Sequence, residues 1–312
     1  QAFSGVFSNE PHGPEGELTL IQCASEFGCG LVQLDRDFDQ KLMYGAGYGY
    51  RSGLNLMMVK HLEDIMETAL QYCEGFGQKS LKILDIGSND GTLLNHFGKK
   101  LGKDCLRVGI DPSSENFKQY YDKEIVTSSD FFSKETFLDL NIGKSVDIVT
   151  SIAMFYDLPH PLQIVKDISN ILAEDGIWVV EQSYLPLMLA TNSFDTICHE
   201  HTEYYALKQF QWMCAQANLE IINISFNQSN GGSFRLVIGK TVDKSKPTYN
   251  ALQFSHMESL LEESAKTQFE SFEKRVVGAK QQFVNFIKDC ADKGKSVCAL
   301  GASTKGNTLL QN

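Results

Sequence analysis

Between residues 81 and 183 the chain repeats one pattern five times. Short apolar runs rich in β-branched residues stand at "LKILDIG" (81–87), "LRVGID" (106–111), "KEIVTS" (123–128), "SVDIVTS" (145–151) and "GIWVVEQS" (176–183). Helical signals fall between them, starting near Thr92, at Pro112 with Ser113, and from Pro161 to Leu172. Consecutive strands separated by helices need crossover connections, so this alternation predicts a doubly wound, mainly parallel sheet. Two more runs, "EIINISF" (220–226) and "SFRLVIGK" (233–240), are joined by "NQSNGG" and read as a hairpin. The last strand of the sheet is then antiparallel, an arrangement that a parallel sheet tolerates at one side.

The flanks differ. Residues 1–55 are Gly-rich, with only short apolar runs such as "CGLVQL", and form a small N-terminal module. From Leu56 the apolar positions Val59, Leu62, Ile65, Met66 and Ala69 recur at helical spacing, opening the main domain, 56–242. Leu207, Phe210, Met213, Cys214 and Ala217 make another helical face. Residues 243–312 hold a long helical connector, with a break expected near Gly278, and then "KSVCALGAS" (295–303) as the first strand of a further Rossmann-like unit. The chain starts at Gln1 and stops just after that strand and turn, so it reads as a fragment cut at both ends.

A net charge of −11 argues against a nucleic-acid binder. No apolar run reaches the ~18 residues of a membrane span, and no signal segment opens the chain. The eight cysteines are scattered, which makes a poor disulfide framework and suits a reducing cytoplasm.

The first turn carries the clearest chemistry. In "LDIGSNDGTLL", Gly87 and Gly91 bracket Ser88, Asn89 and Asp90 between a strand and a helix. Such a turn brings backbone close to a ligand and aims helix N–H groups at it. It is not the G-x-G-x-x-G of dinucleotide enzymes, and Asp85 and Asp90 would repel a phosphate. A cationic ligand would be attracted, and S-adenosylmethionine (SAM) carries both an ammonium and a sulfonium. Asp111 closes the second strand where an acid suits ribose hydroxyls, with Pro112 next to it. Asp130 and Phe131 follow the third strand, where an acid and an aromatic would hold adenine, and Ser151 ends the fourth. A plain tight turn, with Asp111 as a helix cap, is the competing reading of the same residues.

The second concentration is "CHEHTEYY", with His199, Glu200 and His201 in a row. Three readings stay open on the residues alone. The H-x-H pair suits a divalent metal but lacks a third ligand at recognisable spacing. A hydrogen-bonded loop needs nothing further. An acid/base centre uses imidazole because its pKa near ~6.5 lies close to working pH. Asp195 and Thr196 disfavour a helix here, so extended backbone is expected, with both imidazoles on one side and Glu200 turned away or orienting a neighbour.

Four motifs in order, "DIGSNDGTLL", "FDTICHEHTEYYAL", "NGGSFRL" and "GASTKGNTLL", resemble the SAM-dependent sugar C-methyltransferases, which act on nucleotide-linked keto-deoxysugars. The resemblance implies an N-terminal zinc-binding module, a class I methyltransferase domain and a C-terminal Rossmann-like domain. It implies SAM as methyl donor, S-adenosylhomocysteine as product, and a nucleotide-sugar substrate. His201 would be the base, with Glu200 and His199 as helpers. Members of the family carry a catalytic Tyr just before this motif, where Cys198 stands here. Tyr48 and Tyr50, on a segment expected to fold over the site, are the remaining donors. Gly232, Arg235, Lys305 and Asn307 would meet the nucleotide sugar. The zinc of the family uses two Cys pairs. Only Cys23 and Cys29 are present, spaced C-x5-C, so zinc is expected only in a longer chain and no metal at the site. "GASTKGNT" is not a P-loop, because Asn307 stands where that motif needs Lys.

Overall fold

The computed structural model describes residues 15–23, 28–45, 47–73, 80–102, 105–240, 258, 265–298, 306 and 308. The N-terminal part holds β1 (Leu20–Gln22), β2 (Val32–Leu34) and α1 (Gln40–Tyr44), followed by α2 (Leu56–Tyr72). The central part runs β3 (Leu81–Ile86), α3 (Thr92–Leu101), β4 (Cys105–Ile110), α4 (Ser114–Phe117), β5 (Ile125–Ser128), α5 (Lys134–Asp139), β6 (Val146–Ile152), α6 (Pro161–Ile171) and β7 (Leu172–Ser183). Then come α7 (Leu185–Thr191), β8 (Glu203–Tyr204), α8 (Leu207–Gln216), β9 (Leu219–Asn227), β10 (Ser233–Lys240) and α9 (Ala265–Asp292).

Seven strands form the main sheet in the order β5-β4-β3-β6-β7-β10-β9. The pairs from β5 through β7 are parallel, and β10 is antiparallel to both β7 and β9. The chain winds outward from β3 to β5, then restarts at β6 on the other side. Beyond the carboxyl ends of β3 and β6 the connections part and leave a crevice. The period of two in each strand sorts the core into two layers. Leu84, Ile86, Val149, Trp178, Val180 and Phe234 face α6 and α8. Leu81, Ile83, Ile148, Ile177, Val179 and Val237 face α2 and α3. Burial of each such side chain contributes about 1.5–3 kcal/mol.

Helix ends follow local chemistry. Asn55 caps α2 by accepting from Met57 N (2.9 Å), and Ser133 caps α5 by accepting from Thr136 N (3.0 Å). Pro161 opens α6, where its missing N–H costs nothing.

The N-terminal strands pair with the "HEH" segment: β1, β2 and β8 make a second sheet, with Val32 opposite Tyr204 and Gln33 opposite Glu203. Two features depart from the sequence reading. The long helix α9 runs unbroken through Gly278, and Phe272 and Val276 pack it on Met188 and Leu189 of α7. Residues 295–298 carry no strand; 299–303 lie outside the described residues. Among the described residues no helix is long and apolar enough to cross a membrane.

Candidate active site

A cavity of about 340 Å³ fills the crevice. Its floor is the turn after β3. Gly87 and Gly91 both take positive φ, 74° and 75°. A Cβ on Gly87 would stand 2.8 Å from Met154 Cγ and one on Gly91 2.7 Å from Tyr121, so both positions need glycine for conformation and for space. Asn89 also takes positive φ, 49°. Asp85 is the penultimate residue of β3 and is 4 % exposed. Its Oδ1 accepts from Thr150 Oγ1 at 2.6 Å. Burial pushes its carboxyl up to about 7, a pull that the Thr150 bond only partly offsets.

Gly87, Ser88, Asn89 and Asp90 line the cavity with Asp85. Asp111 and Pro112 line it from the end of β4, and Phe131 from beyond β5. Both oxygens of Asp111 are also bound by protein: Oδ2 accepts from Asn89 N (2.8 Å), Oδ1 from Ser113 N and Ser113 Oγ (2.6 Å each). Asp111 therefore braces the turn as well as facing the cavity. Asp130 is exposed and bonded to Ser128 Oγ. Ser151 lies buried in the sheet, accepting from Trp178 Nε1 at 2.8 Å. Gly91 caps α3 beneath Tyr121. These last three do not line the cavity.

The N-terminal segment forms another wall through Tyr44, Tyr48, Tyr50 and Ser52. It is fastened to the turn itself. Ser52 N donates to Asn89 Oδ1 (2.9 Å), Asn89 Nδ2 donates to Tyr50 O (3.0 Å), and Gly53 N donates to Asp90 Oδ2 (2.9 Å). Arg51 Nε lies 3.2 Å from Asp90 Oδ2, with its guanidinium over the Tyr120 ring. Asn89 and Asp90 thus use their side chains on this wall.

The "HEH" segment is a turn and not extended backbone: His201 N donates to Cys198 O at 3.1 Å. The two imidazoles therefore part. His199 bonds Gly16 O through Nε2 (3.0 Å) and sits edge-on to Phe38; burial lowers its pKa. His201 lies against the Tyr156 ring at 4.2 Å, with Nδ1 2.8 Å from Thr196 O. A carbonyl only accepts, so Nδ1 carries the proton and Nε2 the lone pair. Glu200 converges on His201, as a neighbour-orienting acid would: ligand atoms of Cys198, Glu200 and His201 lie within 4.8 Å of one another. Burial raises the Glu200 carboxyl to about 7 and the Cys198 thiol to about 12. Cys23 and Cys29 are both exposed, and two thiols are half of a structural zinc's usual four ligands.

None of His199, Glu200 and His201 lines the cavity; their link to it runs through Tyr44, Tyr48 and Asp157, which do. Tyr44 OH donates to Glu200 O at 3.4 Å and also interacts with the Asp157 carboxyl. Thr202 N and Oγ1 both donate to Tyr156 O (3.1 and 3.0 Å), tying the "HEH" segment to the turn at Phe155–Asp157. Asp157 was missed in the sequence because its signal is a lone acid in a short apolar loop.

Arg235 faces the other layer. Its Nε bonds Glu181 Oε2 (2.7 Å), and its Nη1 bonds Asp64 Oδ2 and Thr68 Oγ1 (2.8 Å each), with His61 on the other oxygen of Glu181. Three partners engage the guanidinium that the family resemblance set against the nucleotide sugar. Gly232 takes φ 119° beside Leu187 and accepts from Tyr184 N through its carbonyl. Lys305 and Asn307 lie outside the described residues.

A glycine turn after the first parallel strand, a buried acid under it and a seven-stranded sheet with one antiparallel strand are the marks of a class I methyltransferase. Residues 58–224 match the family model of the methyltransferase domain. The chain belongs to this family. The methyltransferase also matches, over residues 228–312, the model of a C-methyltransferase C-terminal domain. It is 24% identical over 299 residues to the C-methyltransferase NovU of Streptomyces niveus, covering 94% of this chain and 68% of that protein. Among solved structures it is similar to the mitomycin 7-O-methyltransferase MmcR (11% identity, 60% of this chain and 55% of that one, TM-score 0.47). Another is the plantazolicin methyltransferase BpumL (12%, 59% and 86%, TM-score 0.46). The methyltransferase is SAM-dependent and of the C-methylating kind. Asp85 for an ammonium, and glycine backbone where a larger residue would intrude, suit SAM.

Proposed function

We propose that the protein methylates a carbon of a nucleotide-linked keto-deoxysugar through an enolate, with His201 as the base. The observation that carries this reading is the fixed tautomer of His201, whose Nδ1–H is directed to Thr196 O. With Nδ1–H directed at Thr196 O, Nε2 is the nitrogen that would take the substrate's proton, and the turn that carries His201 is tied through Tyr44 and Thr202 to the residues at the end of the cavity walled by Tyr44, Tyr48 and Asp157.

SAM supplies the electrophilic methyl group when bound. Asp85 would hold the cofactor's ammonium, and Gly87 and Ser88 would let it lie close on the turn. His201 takes a proton from the carbon beside the substrate's carbonyl. The C–H electron pair becomes the new C=C bond and the carbonyl π pair moves to oxygen. With SAM bound, the enolate carbon would accept its methyl while the S–CH3 pair stays on sulfur and S-adenosylhomocysteine leaves; the carbonyl re-forms, and His201 passes its proton to solvent. Carbon is favoured over oxygen as acceptor because a base beside a ketone can generate a carbon nucleophile. Glu200 is placed to steady the imidazolium that forms. The cavity's N-terminal wall keeps water from competing.

The test is incubation of the protein with SAM and a nucleoside diphosphate-linked keto-deoxysugar. Mass spectrometry should show one added methyl, and proton NMR should place it on a carbon next to the carbonyl. An O-methyl or N-methyl product, or none with any keto-sugar, would overturn the assignment.

A further inference from the structure

The enolate of the proposed reaction needs a donor for its oxygen, and the "HEH" segment offers none at the cavity wall. Cys198 is wholly buried, with a thiol that does not line the cavity. Asp157 and Tyr44 do line it. The Asp157 carboxyl interacts with Tyr44 OH, while its Oδ1 is buried with no hydrogen-bond partner among the described residues. A buried polar atom without a partner is costly, about 1–3 kcal/mol, and such atoms collect where a ligand completes them.

We propose that the Tyr44–Asp157 pair is the oxyanion-binding element of the methyl transfer, donating to the substrate's oxygen while His201 takes the neighbouring carbon's proton. The inference rests on the enolate reading above. Its chemistry requires Asp157 to be a neutral acid. The groups facing it all push that way except Tyr44. Burial raises its carboxyl well above the usual range, the charges of Glu200 and Glu203 add to this, and the Tyr44 bond opposes it. A carboxylic acid kept neutral in apolar surroundings donates a strong hydrogen bond. The Tyr44 hydroxyl is likewise held protonated, by burial above all. As the C–H pair becomes C=C and the carbonyl π pair moves onto oxygen, the Tyr44 hydroxyl turns its one proton from Glu200 O to that oxygen, and the Asp157 O–H donates to it as well. No proton needs to leave either of them, and the proton abstracted from carbon goes to His201 Nε2.

Deuterium uptake from D2O at the carbon beside the carbonyl reads this step without methyl transfer. The probe is a nucleoside diphosphate-linked keto-deoxysugar with S-adenosylhomocysteine in place of SAM. Asn keeps an N–H donor but cannot take a proton, so Asp157→Asn should slow exchange by less than about tenfold, whereas Asp157→Ala should slow it by on the order of 10²–10³. Tyr44→Phe should slow it by roughly 10- to 100-fold, with S-adenosylhomocysteine affinity from calorimetry near wild type in each variant. Asp157→Asn as slow as Asp157→Ala would mean that Asp157 is a base and would overturn the inference. So would wild-type exchange in Asp157→Ala while His201→Ala is inactive. If the wild-type protein exchanges with no keto-sugar, the enolate reading fails and takes this inference with it.

Discussion

Thr150 donates its hydroxyl to Asp85 across the β3–β6 pair, Oγ1 to Oδ1 at 2.6 Å, and it is the one hydrogen bond among those holding Asp85's pKa back from rising further. The residues face each other because the parallel register sets Asp85 opposite Thr150. The bond fixes a buried acid at the bottom of the cavity, where a cation would be held.

Burial pushes the Asp85 carboxyl up to about 7, so its charge is fully developed only above that pH. SAM binding should tighten as pH rises from about 6 to about 7.5, by on the order of fivefold, and the slope should vanish in Asp85→Asn, which should also weaken binding by roughly 10- to 100-fold. Thr150→Val should move the midpoint upward. Calorimetry at several pH values measures all three.

The same carboxyls govern the stability of the ligand-free protein. Asp85, Glu200 and Glu203 all have folded-state values raised to about 7, above their ordinary values. The folded chain then holds more protons than the unfolded chain between about pH 4 and 7, so stability falls as pH rises through that window. The melting temperature without SAM should be lower at pH 8 than at pH 6, by on the order of 5 °C. SAM should recover part of the difference, and Asp85→Asn should shrink it.

Asn89 ties the cavity floor to its N-terminal wall by two bonds, to Ser52 N and from its own Nδ2 to Tyr50 O. Asn89→Gly removes both without a backbone penalty at positive φ. Amide exchange at Ser52 should rise at least about tenfold and SAM should leave faster, with the melting temperature little changed.

Arg235 and Glu181 face each other in the β7–β10 ladder, both nearly wholly buried. Breaking the pair in Arg235→Ala should cost about 3–5 kcal/mol, whereas Arg235→Met with Glu181→Leu should be far milder. Denaturant unfolding checks both. If Arg235 served the nucleotide phosphates instead, the KM of the sugar nucleotide would rise in the double variant while stability held.

The main sheet was legible because its strands carry their signal locally. β10 is found at 233–240 as read, and β3, β4 and β6 lie within a residue of their expected bounds. The second sheet was not legible. Its strands are three, three and two residues long, too short for a period to show, and β8 pairs with β2 across most of the chain. The turn at His199–His201 was misread for the same reason: the bond that closes it is a backbone contact with Cys198, on which side-chain type has little say. The cavity residues Asp85 to Asp90 stand out as a cluster in the sequence. Tyr44 and Asp157 do not, because only folding brings α1 beside the Phe155–Asp157 turn.

The most direct measurement compares His201→Ala with the wild-type protein for SAM affinity and for product formed from SAM and a nucleoside diphosphate-linked keto-deoxysugar. The expected result is SAM affinity within about threefold and product formation lower by on the order of 10²–10⁴. Product formation within about tenfold of wild type, or an equal loss of SAM binding, would contradict the assignment of His201 as the base.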